Sequence, residues 1–307
     1  MSEPGPGILV VDKAAGVTSF DAVALARRAL GVRRVGHAGT LDPPATGVLP
    51  LLIGEATKLT AYLMDHDKEY VATVRFGVTT DTQDLSGRVL TTTPVSGLSR
   101  GRIDAACRPF VGRIAQVPPM FSALHHEGQR LYELARQGVE VERAPREIVV
   151  RSIAVEEVGD AVATLRIVCG KGTYVRVLAA DLGAALGYGA ALERLTRTRV
   201  GPFTLRAAVA WSELAEGRRE ALCARLLPMD AALADWPAAR LDAESARHFG
   251  HGQSAQLPAP LAAARLVRVY DEHQVLLGVG ETDALGRSVR PVRMLHADRS
   301  GTPARPA

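Results

Sequence analysis

The stretch Gly36-His37-Ala38-Gly39-Thr40-Leu41-Asp42-Pro43-Pro44-Ala45-Thr46-Gly47-Val48-Leu49-Pro50 sets a single carboxylate, Asp42, among three glycines and three prolines. Glycine lets a backbone take positive φ and approach a ligand closely, and proline stiffens the path on either side. A loop built this way holds a side chain in a set geometry instead of filling a core, which makes Asp42 a candidate catalytic group. A second reading fits the same spacing. Asp before Pro is a favourable helix start, with Asp42 as N-cap and Pro43 at the first helical position. Spacing alone leaves both open.

Outward from this loop the chain mixes strand and helix signals. Residues 7–12 read as a short buried strand, and Thr18 or Ser19 caps a helix to about Leu30. A helix over about 55–64 leads into a β-branched and aromatic strand over 69–76, then a turn at Asp81-Thr82-Gln83-Asp84. Ser99 precedes a helix over 101–110. The segment 114–141 carries Pro118-Pro119 and a short amphipathic helix through Leu131 and Leu134. Its length, prolines and His and Arg content fit a mobile insertion better than a core element. Runs 148–158 and 162–169 alternate around Gly159-Asp160, a hairpin signal, and 174–186 reads as a helix ended by Gly187. Near Pro237 the character changes. A short helix capped by Asp242 and strand-like runs at 266–270, 275–280 and 288–295 suggest a small β-barrel. The tail, 297–307, is expected to be disordered.

GHAGTLDPPATGVLPLLIGEATK, residues 36–58, resembles the catalytic motif of the TruB family, the bacterial tRNA pseudouridine-55 synthases. Further blocks similar to the family's follow its order: Asp12-Lys13 through Ser19, Asp67-Lys68-Glu69-Tyr70, Val117-Pro118-Pro119-Met120-Phe121-Ser122-Ala123-Leu124, Lys171-Gly172-Thr173-Tyr174-Val175-Arg176, and Leu195-x-Arg197-x-x-x-Gly201. The resemblance implies an α+β pseudouridine synthase fold: a mixed, largely antiparallel sheet flanked by helices and loops, plus a small C-terminal PUA-like β-barrel. It implies a catalytic domain over 1–236 with a thumb-like RNA-binding insertion at about 114–146, and a PUA-like domain over 237–296. By the same resemblance Asp42 is the essential aspartate and Arg176 its cationic partner. A desolvated carboxylate otherwise tends to take up a proton, so such a partner is needed. Tyr70 matches the tyrosine that stacks on the flipped uracil and handles a proton. His37, Tyr174 and Leu195 match residues that contact or line the base pocket. The implied substrate is the TΨC stem-loop of tRNA, met without guide RNA, cofactor or metal, by a monomer in the cytoplasm. Ala14, Ala38, Phe121 and His125-His126 depart from the usual family residues.

Composition is consistent with this reading without requiring it. The chain has 307 residues, 47% hydrophobic and 23% charged, and no apolar run approaches the roughly 18 residues of a membrane span. Three widely spaced cysteines form no CxxC pair, and close histidine pairs lack further ligands, so no zinc site or disulfide framework is indicated. The net charge of +4 and pI of about 9.1 are compatible with a polyanionic partner. Arg outnumbers Lys 33 to 4, and all four lysines (Lys13, Lys58, Lys68, Lys171) fall in the family-like blocks, as if those positions want a compact ammonium. A rival enzyme class is raised by Gly97-Leu98-Ser99-Arg100-Gly101, which fits the GxSxG of serine hydrolases. Ser99 is better explained as a helix N-cap. A binding-only protein is the other rival, although a binder has no need of the Asp42, Tyr70, Arg176 set.

Overall fold

The computed structural model describes residues 4–261 and 265–295. The strand Gly7–Lys13 pairs antiparallel with Thr46–Ile53 along its whole length, from Gly7 opposite Ile53 to Lys13 opposite Gly47. Alternate residues feed two different layers. Leu9, Val11, Leu49, Leu51 and Ile53 enter one hydrophobic cluster, while Ile8, Val10, Val48 and Leu52 enter another. Burial on both faces is why these strands read as near-continuous apolar runs.

They sit in a ten-stranded sheet. Its main path runs Val209–Ala210, Gly7–Lys13, Thr46–Ile53, Ala190–Val200, Lys68–Phe76, Val162–Cys169, Arg146–Val158 and Gly112–Gln116. Two short strands, Val35–His37 and Phe203–Thr204, pair off this path. Most neighbours are antiparallel, and two contacts are parallel: Gly7–Lys13 with Val209–Ala210, and Thr46–Ile53 with Ala190–Val200. This is the mixed, largely antiparallel sheet expected. The helices Ser19–Leu30 and Val175–Ala185 cover one face. Thr18 and Asp21 start the first with a reciprocal capping box, and Gly31 ends it in the left-handed conformation.

The opposite face packs against Ala232 and Leu233 and against Tyr270, Leu276, Val279 and Leu295 of a second, five-stranded sheet. That sheet runs Ala238–Arg240, Leu266–Tyr270, Leu276–Thr282, Ser288–Met294 and Ala255–Gln256, and curls as a half-barrel. The helix Ala243–Gly250, capped by Asp242, closes on it through Phe249. Its two end strands are two and three residues long, too short to show any periodicity in sequence.

Two expectations need correction, and the Ser99 reading holds. The helix expected over 55–64 is a 3-10 turn, Gly54–Leu59, followed by a short α-helix, Thr60–Asp65. Thr57 and Thr60 donate their hydroxyls to carbonyls three residues back, which favours the tighter winding. The insertion expected from residue 114 begins later. Gly112–Gln116 is an edge strand of the main sheet, paired with Arg146–Val150, so the excursion leaves after Gln116. The Ser99 hydroxyl accepts a hydrogen bond from the Arg102 amide at 3.4 Å, making it the N-cap of Arg100–Cys107 and no nucleophile elbow. The tail at 297–307 lies outside the described residues.

Gly47 carries φ +105°, and a Cβ there would stand 2.2 Å from the Arg197 carbonyl oxygen. Gly47→Ala should therefore lower the unfolding free energy by about 3 kcal/mol. Urea denaturation measures this, and a change below about 0.5 kcal/mol would show that the strand pair accommodates a side chain.

Candidate active site

Asp42 and Arg176 meet. The Arg176 Nε donates to Asp42 Oδ2 at 2.8 Å, across 134 residues of sequence. Val175–Ala185 brings the arginine, and the glycine-rich loop before Thr46–Ile53 brings the carboxylate. The loop is not a helix start. The Ala45 amide donates to the Asp42 carbonyl in a single turn, and extended strand follows directly. The Arg176 side chain is 5% exposed and Asp42 39%, so the pair has a buried cation and an accessible acid. Oδ1 of Asp42 takes no hydrogen bond from any described residue. One oxygen is held and the other is left for chemistry.

The guanidinium meets Asp42 through Nε alone. Its remaining nitrogens donate to the carbonyls of Thr82 and Phe121, each at 2.9 Å. Asp84 approaches the same Nε at 3.8 Å through Oδ2, while its Oδ1 accepts from the Thr82 and Ser86 hydroxyls. Asp84 is a site residue that sequence reasoning missed. Its only trace was a turn signal, because what recruits it is an arginine 92 positions away, at Arg176.

The chain on either side of Asp42 is tied down separately. Ser19 Oγ accepts from the Leu41 amide at 2.9 Å and donates to the Leu41 carbonyl at 3.2 Å. Lys13, fully buried, donates to the carbonyls of Ala14, Val17 and Pro43. The Gly16 amide also donates to Pro43. Burial pulls the Lys13 ammonium down to about 8, with the Asp42 charge opposing that fall. Lys68 repeats the theme, donating to the carbonyls of Met64 and His66, and burial takes it to about 8 as well. A compact ammonium suits such carbonyl cages, which is why lysine persists there in an arginine-rich chain.

Tyr70 projects from Lys68–Phe76 into the same cluster as Leu41 and Ala45. Burial pushes its phenol up, so it stays neutral near pH 7. Tyr174 sits at the start of the Arg176 helix, its backbone gripped by Gln116 through two hydrogen bonds of 2.9 and 3.1 Å. Burial raises its phenol too, with the Asp42 charge adding to the rise. Leu195 shares a sheet face with Arg197 and packs half-buried against the same cluster. His37 ends the short strand Val35–His37. Burial and the Arg197 charge both lower its pKa, and its buried Nδ1 has no partner among the described residues. His125 and His126 lie elsewhere, lining a cavity of about 120 Å³ at the foot of the excursion with Arg143 and Arg146. Phe121, the other departure there, meets Arg176 through its main-chain carbonyl, so its ring is not needed for that contact.

The structure thus brings together a guanidinium-held carboxylate on a glycine-rich loop and a buried tyrosine of the mixed sheet, and the chain's relatives are pseudouridine synthases. Residues 27–175 match the TruB family pseudouridylate synthase N-terminal domain, 176–234 the tRNA pseudouridylate synthase B C-terminal domain, and 237–295 the C-terminal domain of pseudouridine synthase II TruB. The chain belongs to the TruB family. A tRNA pseudouridine synthase B of Dechloromonas aromatica is 47% identical over 275 residues, covering 90% of this chain and 91% of that protein. One from Pseudomonas putida is 43% identical over 297 residues, covering 95% and 96%. Among solved structures, a chain of a Cbf5-Nop10-Gar1 complex superposes with a TM-score of 0.73 at 25% identity, covering 95% of this chain and 85% of that one.

The lowered Lys13 value has a thermodynamic consequence. Between about pH 8 and 10.5 the unfolded chain holds a proton on this lysine that the folded chain has lost, so stability gains from this residue as pH rises. The stability difference between wild type and Lys13→Met should therefore shift toward wild type over that window. The shift should be steepest at about 1.4 kcal/mol per pH unit. Urea titrations at pH 7 and pH 9.5 compare the two; an unchanged difference would mean Lys13 keeps its ordinary proton affinity.

Proposed function

We infer that the chain is a tRNA pseudouridine synthase, isomerising the uridine at position 55 in the TΨC arm. The observation that carries this reading is the Arg176–Asp42 pair, with one carboxylate oxygen engaged and the other free. In the reaction the bond from ribose C1′ to uracil N1 breaks, the base turns, and C1′ joins C5. The C5 hydrogen is lost as a proton and N1 gains one, so atoms and electrons balance without a co-reactant. A uridine in a folded arm is stacked, and extruding it costs a few kcal/mol.

On this reading Asp42 is the nucleophile, and Arg176 orients it through Oδ2 and keeps it anionic as the site closes over the base. Tyr70 lies against the flipped uracil and takes part in the late proton transfer. Tyr174 and Leu195 line the base pocket, and His37 faces the extruded nucleotide. The excursion after Gln116 and the C-terminal half-barrel supply the wider RNA contact, recognising the shape of the arm and its splayed bases more than a groove. No helix among the described residues is long and apolar enough to cross a membrane. We place the protein in the cytoplasm with its tRNA substrate, acting as a monomer without guide RNA. Relatives 43% and 47% identical that are named as tRNA enzymes support that choice over the guide-dependent type.

Asp42→Asn should bind tRNA with unchanged affinity and form no pseudouridine, assayed by tritium release from uracil-labelled transcript. Retained turnover would refute the role given to Asp42. Arg176→Lys should lower the rate about 100-fold or more, because Asp42, Thr82 and Phe121 are met by three separate nitrogens of a planar guanidinium, positions that a single ammonium nitrogen cannot occupy together. Purified protein with a tRNA transcript as the sole RNA should turn over fully; a requirement for a second RNA would favour the guide-dependent reading.

A further inference from the structure

Among the described residues Arg197 is the largest fully buried side chain, 1% exposed. Strand pairing sets it opposite Gly47 on one side and opposite Tyr70 on the other. Its Nε donates to the Val48 carbonyl at 2.7 Å and its Nη2 to the Gly39 carbonyl at 3.0 Å. Those two residues are the roots of the loop that carries Asp42. Gly39 has φ +90°, a backbone conformation that favours glycine, where its carbonyl meets the guanidinium. Arg176 thus holds the acid itself, and Arg197 holds both ends of its support.

A second feature separates Arg197 from a simple clamp. No carboxylate of a described residue comes within 4.0 Å of it, whereas Arg176 has Asp42. A buried cation lacking a counter-ion is costly, and neutral donors could have bridged two carbonyls. The charge falls on groups already placed in the site. It draws Tyr70 back toward ionisation against the stronger push of burial, and it joins burial in lowering His37.

We propose that Arg197 is a positioning residue for the reaction, fixing both roots of the Asp42 loop while orienting the Tyr70 hydroxyl for proton transfer. The Tyr70 half of this rests on the role given to that residue above. If it holds, removing Arg197 also removes what Tyr70 contributes, and their losses should not multiply.

The test is kcat and KM for tritium release with tRNA transcript, in Arg197→Met, Tyr70→Phe and the double variant, with thermal melts alongside. Arg197→Met should lower kcat about 100-fold and move KM less than threefold, since a loop out of place by about an ångström costs on that order. The double variant should be no slower than the slower single variant within about threefold. Arg197→Lys, which keeps the charge and a donor, should recover at least tenfold over Arg197→Met. Should Arg197→Met fail to melt cooperatively, Arg197→Lys with and without Tyr70→Phe carries the same comparison. Fully multiplicative losses, or a raised KM with kcat intact, would overturn the proposal. Unchanged kcat in Tyr70→Phe would overturn the role of Tyr70, and with it the orienting role of Arg197. A normal kcat in Arg197→Met beside a slow Tyr70→Phe would sink the Arg197 proposal alone.

Discussion

The ion pair between Arg176 and Asp42 is the constraint to which the surrounding structure answers. A guanidinium taken almost wholly out of water must find an acceptor for each of its arms or pay for the loss. Arg176 finds them on three segments far apart in sequence: the Asp42 loop, the turn at Thr82, and the excursion at Phe121. One buried charge therefore binds three pieces of chain at a single point. The result also leaves a carboxylate oxygen uncommitted at the surface of the site, which a fully satisfied bidentate pair would not.

Positioning Asp42 needs more than that contact, because a loop is the least rigid part of a fold. The residues before and after it are each fastened to rigid elements. Ser19 at the start of a capped helix holds Leu41 by both amide and carbonyl, and Lys13 at the end of a buried strand holds Pro43. Glycine at position 47 lets the following strand lie close against Ala190–Val200. None of these contacts involves the Asp42 side chain, so its reactive geometry is set without consuming its hydrogen-bonding capacity.

What was legible in the sequence follows from this division. Signals local to a few residues came through: a cap at Thr18 or Ser19, the Ser99 and Asp242 caps, the hairpin around Gly159, and the β-branched and aromatic strand at 69–76. The Asp42 and Arg176 pairing came from family resemblance, since nothing in the spacing of two residues 134 apart predicts a contact. Asp84 and Gln116 acquired their positions silently. Each works by bonding a backbone atom or an arginine supplied from elsewhere in the fold, and a main-chain carbonyl leaves no pattern in a sequence. The same holds for the strand Gly112–Gln116. Its three alternate residues Gly112, Ile114 and Gln116 give no apolar stripe, so it read as the start of a loop.

The contact between Arg176 and the Phe121 carbonyl ties the excursion to the Asp42 loop. The excursion leaves the sheet after Gln116, whose amide grips Tyr174, two residues before Arg176. Phe121 then returns to the guanidinium itself. Displacing residues 117–121 removes one acceptor from a buried cation, and the nearest alternatives are the carboxylates of Asp42 and Asp84. A shift of the excursion thus changes how strongly Arg176 leans on Asp42, without any side chain of the excursion touching the acid. Because the coupling runs through main-chain atoms, side chains there are free to vary, as Phe121 and the His125-His126 pair do, while the mechanical link stays in place.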